Sequence, residues 1–169
     1  CRLPCSSTGL PTAPAELVWE TISVSEDVTV RYPVWPGDAA EQLLGALREA
    51  GARLVEVPVR DLVRRIGRVA DRFLDSSDPL RHEAIDLLVP TAGISKEMAS
   101  EILTGMARDW TAERLTELLR RELSDPGVLD GFRRVDKGRK LRAKGPLLTF
   151  HVGAGTVPGV SVTSMIRAL

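Results

Sequence analysis

"GPLLTFHVGAGTVPGVSVTSMIRAL", from Gly145 to Leu169, decides how the rest of the chain is read. Leu147 to Val152 ("LLTFHV") is an apolar run bounded by Gly-Pro and a glycine turn, the pattern of a strand covered on both faces in a parallel sheet. "GAGTVPG" follows, and beyond Pro158 the residues Val162, Met165, Ile166 and Leu169 take helical spacing. A strand, a glycine turn and a helix start together aim unpaired backbone N–H groups and a partial positive charge at one spot, where an anion or polar cofactor can dock. The spacing departs from the dinucleotide fingerprint, because Pro158 stands where a third glycine is needed. On these residues alone the turn is either the wall of a site or a tight packing turn.

Immediately upstream, "GFRRVDKGRKLRAKGP" sets Arg133, Arg134, Lys137, Arg139, Lys140, Arg142 and Lys144 against a single acid, Asp136. Nucleic acid would call for interleaved aromatic residues, and Phe132 stands alone, so nucleic acid is not expected. The expectation for 131–144 is an exposed basic loop or hairpin, with contact to a phosphorylated ligand such as coenzyme A or a dinucleotide as its functional alternative.

Residues 37–130 read as a helical lead-in. Asp38 caps "DAAEQLLGALREAG", which Gly51 stops; "ARLVEVPV" then reads as a short strand. Arg60 to Asp75 is the most regular helix, with Leu62, Val63, Ile66, Val69, Ala70, Phe73 and Leu74 forming an apolar stripe. Arg64, Arg68 and Arg72 line another face and are expected to be solvated, partly paired with Asp61, Asp71 and Asp75. Asp78 with Pro79 starts the next helix, which Pro90 and Gly93 end. Ser95 caps a further one, with Met98, Ile102 and Met106 along its core side, and Gly105 is either a weak point or a close contact. Thr111 caps a last one carrying Leu115, Leu118, Leu119 and Leu123. The first 36 residues mix an edge strand (Asp27 to Trp35) with proline-rich turns.

The 169 residues are 43% hydrophobic and 27% charged, with 23 basic against 23 acidic side chains, so no global field draws the chain to nucleic acid or an anionic membrane. No apolar stretch reaches the roughly 20 residues of a membrane span, and a cytoplasmic protein is expected. Cys1 and Cys5 lie in a loose segment, and His82 and His151 are remote from them, so no metal site is expected. His82 reads as a surface residue and His151 as a hydrogen-bonded buried one. The chain begins without methionine and ends within an apparent helix, so a piece of a longer protein is expected.

"TFHVGAGTVPGVSVTSMIRAL" resembles the start of the cofactor-binding domain of the long-chain acyl-CoA reductase family, the LuxC-like branch of the aldehyde dehydrogenase superfamily. "DPLRHEAIDLLVPTAGISKEMASEILTGMARDWTAERLTELLRREL" is similar to that family's helical lead-in, and the likeness covers roughly Asp61 to Leu169. The resemblance implies an α/β fold class: an N-terminal fragment of an aldehyde-dehydrogenase-like fold, with a helical lead-in followed at 145–169 by the first strand, turn and helix of the NADP-binding domain. It implies NADPH-dependent reduction of long-chain fatty acyl-CoA to fatty aldehyde, in which a cysteine thiolate attacks the thioester, coenzyme A leaves and hydride reduces the acyl-enzyme. Neither Cys1 nor Cys5 matches that nucleophile, so the fragment alone is expected to be inactive.

Carried over from the resemblance, Val152, Gly153, Ala154, Gly155 and Thr156 line the nicotinamide side of the cofactor. Thr156 holds the oxyanion position, where asparagine is usual. A threonine hydroxyl is shorter and offers one donor, so either it reaches a differently placed oxygen, or a backbone N–H takes over, or this homologue is impaired. Family context adds a homo-oligomer, a companion acyl-transferring subunit and bioluminescence as one setting. The competing reading is a self-contained helical interaction module whose terminal turn merely packs.

Overall fold

The structure, a computed structural model, describes residues 18–24, 26, 28–34, 37–153 and 159–169. Helices dominate it, and the well-packed part is built from four consecutive ones. These are α2 (Val59–Leu74), α3 (Pro79–Ala92), α4 (Lys96–Trp110) and α5 (Ala112–Leu123). Their punctuation is explicit. The Asp78 carboxylate accepts from the Leu80 N–H at 2.7 Å, Ser95 Oγ from Met98 N–H at 3.2 Å and Thr111 Oγ1 from Arg114 N–H at 3.3 Å, each satisfying an otherwise unpaired first-turn donor. Gly93, at φ 65°, closes α3 in the left-handed region, while Pro90 lies inside that helix rather than ending it.

The core centres on Ile85, Ala99 and Leu103, with Phe73, Ala84, Leu88, Val89 and Ile94 packed around them. Along α4 the buried residues are Ala99, Leu103, Ala107 and Trp110, which recur at i+4 and i+3 steps. Met98 is instead 54% exposed, because it falls a residue short of that stripe. In α2 the buried positions are Val63, Gly67 and Ala70, and Val69 sits outside them at 45% exposure. Gly67 is where α5 begins to cross: a Cβ there would lie 2.8 Å from Ala112 Cβ and 2.9 Å from Ala112 N. Gly105, by contrast, has open space around it.

One charged side chain is buried in this unit. Arg81, on the first turn of α3, donates to the Phe73 carbonyl at the end of α2, to Ser100 Oγ at 2.8 Å and to Thr104 Oγ1 at 3.0 Å on α4. It binds three helices at one point, and the carbonyl end of α2 favours a cation there. On the solvent face Arg64 pairs with Asp61 at 3.2 Å, and Arg72 reaches past its own helix to Asp78 at 2.8 Å.

Before this unit, β1 (Val18–Ser23) and β2 (Thr29–Val34) form an antiparallel pair, and α1 runs Gly37–Leu54. Gly51 does not stop α1: its carbonyl accepts from Val55 N–H at 3.1 Å, the helix continues to Leu54, and the expected strand at 52–59 is instead the end of α1, a turn at 55–57 and the start of α2. After α5, a single 3₁₀ turn (Pro126–Val128) leads into a hairpin of β3 (Arg133–Asp136) and β4 (Arg139–Leu141), and α6 (Val160–Ala168) ends the described chain.

The expected strand at Leu147–Val152 is not formed: the described residues 145–153 have no ladder partner. Apolar residues become a parallel strand only beside another strand, and among the described residues both sheets are two-stranded antiparallel pairs that take these residues as no third strand. Leu147, Phe150 and Val152 are therefore 80%, 90% and 84% exposed. No helix among the described residues is long and apolar enough to cross a membrane.

Candidate functional site

Of the five positions carried over by resemblance, Val152 and Gly153 are described, while Ala154, Gly155 and Thr156 lie outside the described residues. The described part of the turn folds back along α6. His151 Nδ1 lies 2.9 Å from Ser164 Oγ, so this histidine is hydrogen-bonded but half-exposed rather than buried. Two residues on, Gly153 lies against Ser161, whose hydroxyl would overlap any Cβ on Gly153. Glycine at 153 lets Ser161 approach closely, and a Cβ there would force the Ser161 hydroxyl to turn away.

Gly159 is the N-cap of α6 at φ 82°, a left-handed geometry suited to glycine, and among the described residues no side chain caps the first turn. No acidic residue stands in that turn, so no carboxylate within it answers the helix dipole. Chemically, such an end can accept a negative or electron-rich group beside the exposed backbone of Val152 and Gly153.

The helical unit holds this end in place. Trp110, buried at 4% exposure, stacks edge-on against Phe73 with ring centroids 6.4 Å apart and donates its indole N–H to Thr163 Oγ1 at 3.0 Å. Met106 fills the space over Gly159 that a Cβ would occupy. Trp110 and Thr163 were not singled out in the sequence. An indole closing an amphipathic helix and a threonine in the first turn of another carry no signal that they meet across 53 positions. Met106 was legible as core filling, and it proves to pack on the N-cap glycine of α6.

In the shallow cleft lined by Asp109, Arg114, Glu117, Leu118, Arg121 and Arg167, Arg114 lies 2.9 Å from Glu117 and Arg121 pairs with the same carboxylate. His82 is exposed, its Nε2 2.7 Å from the Ser76 carbonyl. Among the described residues no three His, Cys, Asp or Glu side chains are gathered as metal ligands.

Among the described residues, a set of helices with two small antiparallel sheets is compatible with an α/β fragment. Residues 54–169 match the family model described as acyl-CoA reductase (LuxC), and the chain belongs to that family. No curated protein and no solved structure matches it.

Proposed function

We propose that this chain is part of an oxidoreductase that reduces long-chain fatty acyl-CoA to fatty aldehyde with NADPH. The observation that carries the reading is the acyl-CoA reductase match over 54–169, which also leaves the self-contained interaction module without support. The nucleophile in this proposal is a cysteine outside these residues, since Cys1 and Cys5 precede the matched region.

The residues present fit an anionic, flat cofactor: a helix first turn free of carboxylates, a glycine without a Cβ at 153, and an exposed Val152. Val152 and Gly153, with Ala154, Gly155 and Thr156, would hold the nicotinamide side, and NADPH would supply hydride there. Thr156 would offer its hydroxyl to the oxygen that gains charge as the thioester carbonyl becomes tetrahedral. Trp110, Met106 and Thr163 act at a distance, by fixing how α6 sits beside the turn.

The test uses the whole reductase encoded by the parent gene. It is expected to consume NADPH and release aldehyde from long-chain acyl-CoA, whereas the 169-residue chain alone gives no turnover. Thr156→Ala in the whole enzyme is expected to lower kcat by about 10²–10³, the scale of one oxyanion donor, with little change in KM. Absence of aldehyde with both NADPH and NADH would overturn the reading.

A further inference from the structure

The β3–β4 hairpin carries a charge arrangement that its own fold does not explain. Its register sets Arg134 directly opposite Lys140, two cations whose Cα atoms are about 5 Å apart in an antiparallel pair. Directly opposed like charges destabilise a hairpin. Arg142 follows immediately on the end of β4, two positions beyond Lys140. The opposite side is settled internally: Arg133 Nε donates to the Gly127 carbonyl at 3.2 Å, and Arg139 forms a two-pronged pair with Asp136, whose carboxyl is held below the usual range by that guanidinium. Arg134, Lys140 and Arg142 are all exposed and take no carboxylate among the described residues.

The platform beneath this face is fixed. Ala143 N–H donates to the Val128 carbonyl at 2.8 Å, Val128 is buried, and Asp130 accepts from Val59 N–H at 2.7 Å, tying the hairpin's approach to the start of α2. Phe132, 68% exposed, and Arg142 flank the last paired residues of the hairpin, Arg133 and Leu141. Three cations within two strand repeats, with one aromatic ring at their edge, match a compact ligand having several phosphate charges and one flat base. A polynucleotide would use a longer track with more stacking rings.

We infer that the Arg134, Lys140 and Arg142 face, with Phe132, binds the phosphates and base of an adenine nucleotide, namely the coenzyme A portion of the thioester substrate. This deepens the reductase reading and rests on it for the choice of coenzyme A. The like-charged cross-strand pair is then a site that gains hairpin stability when the anion arrives.

The experiment titrates the ¹⁵N-labelled 169-residue chain with coenzyme A, NADPH, inorganic pyrophosphate and a short single-stranded RNA. Coenzyme A is expected to move the amides of residues 132–142, and the triple change Arg134→Gln, Lys140→Gln, Arg142→Gln to weaken its Kd at least tenfold. The control pair Arg48→Gln, Arg53→Gln, on exposed positions of α1, is expected to leave Kd unchanged. Lys140→Glu gives Arg134 an opposite charge, so it is expected to strengthen the hairpin's amide protection while weakening coenzyme A. That opposition of sign would not arise from a structural role.

Pyrophosphate moving the same amides more weakly supports the phosphate part of the argument. Response to NADPH but not coenzyme A overturns the assignment to the thioester substrate. Binding of RNA alone, or a triple variant that binds coenzyme A as the parent does, overturns the inference. Such a failure leaves the reductase reading intact if the whole enzyme still makes aldehyde; aldehyde formation failing while the hairpin binds coenzyme A sinks the reductase reading instead.

Discussion

Replacing glycine by alanine in the middle of a helix should act in opposite directions at two positions of this chain. At Gly105, in α4, the added methyl meets nothing within 4 Å, so only helix propensity changes, and Gly105→Ala is expected to stabilise by about 1 kcal/mol. At Gly67 the same methyl would stand 2.8, 2.9 and 3.2 Å from Ala112 Cβ, N and Cα. Carbon atoms rest about 3.5–4.0 Å apart, so α2 and the start of α5 must separate by roughly 1 Å. Overpacking of this kind costs about 1–3 kcal/mol. The displaced residues adjoin the Thr111 cap, whose loss costs about 1 kcal/mol more. Against the propensity gain, Gly67→Ala is expected to destabilise by about 1–3 kcal/mol. The two variants should therefore differ by about 2–4 kcal/mol, or about 4–16 °C in Tm for a chain of this size. Urea and thermal unfolding followed by circular dichroism read both quantities. A Gly67→Ala chain as stable as the parent would refute the close crossing of α2 and α5.

Arg81→Met keeps the stem but leaves the Phe73 carbonyl and the Ser100 and Thr104 hydroxyls without their donor; a loss of about 2–4 kcal/mol in urea unfolding is expected, and near-neutral stability would contradict the buried role. Asp78 is held below the usual carboxylate range by Arg72 and by the Leu80 N–H, and Asp75 likewise by Ser77. A carboxyl lowered in the folded state contributes stability that is present above the unfolded carboxylate range and is lost as pH falls through the folded value. Tm should thus fall on acidification below that range, less steeply in Asp78→Asn; an unchanged acid slope in that variant would count against the pairing. Thr163→Val removes the acceptor of the Trp110 N–H, and a changed indole emission with about 1–3 kcal/mol of destabilisation is expected; identical spectra would show the two do not meet. Exposure of Leu147, Phe150 and Val152 should make the chain associate as concentration rises, and Thr at all three should suppress this in sedimentation; no difference between the two chains would oppose it.

What the sequence conveyed was local. Asp78 before Pro79, Ser95 and Thr111 were legible as helix starts because a cap is a contact between near neighbours, and each bonds an N–H two or three residues on. Gly51 misled because a left-handed stop and an in-helix glycine have the same letter, and only the surrounding bonds distinguish them. Met98 and Val69 were assigned to core stripes one step too wide, since apolar spacing does not say how broad the covered face is. "LLTFHV" has the composition of a covered strand, yet covering needs partner strands that local residues cannot announce. At the candidate site Gly153 was legible as a turn residue, whereas the approach of Ser161 and the Trp110–Thr163 joint depend on long-range packing.

Arg81 also works as a detent against sliding. It grips Ser100 and Thr104, one turn apart on α4, and the next residues along that row are Lys96 and Arg108. A slip of α4 by one turn, about 5.4 Å in either direction, would bring an ammonium or a second guanidinium against the first. The row Lys96, Ser100, Thr104, Arg108 thus offers one neutral resting place bounded by repulsion on both sides, so the bundle has a single admissible alignment at that contact.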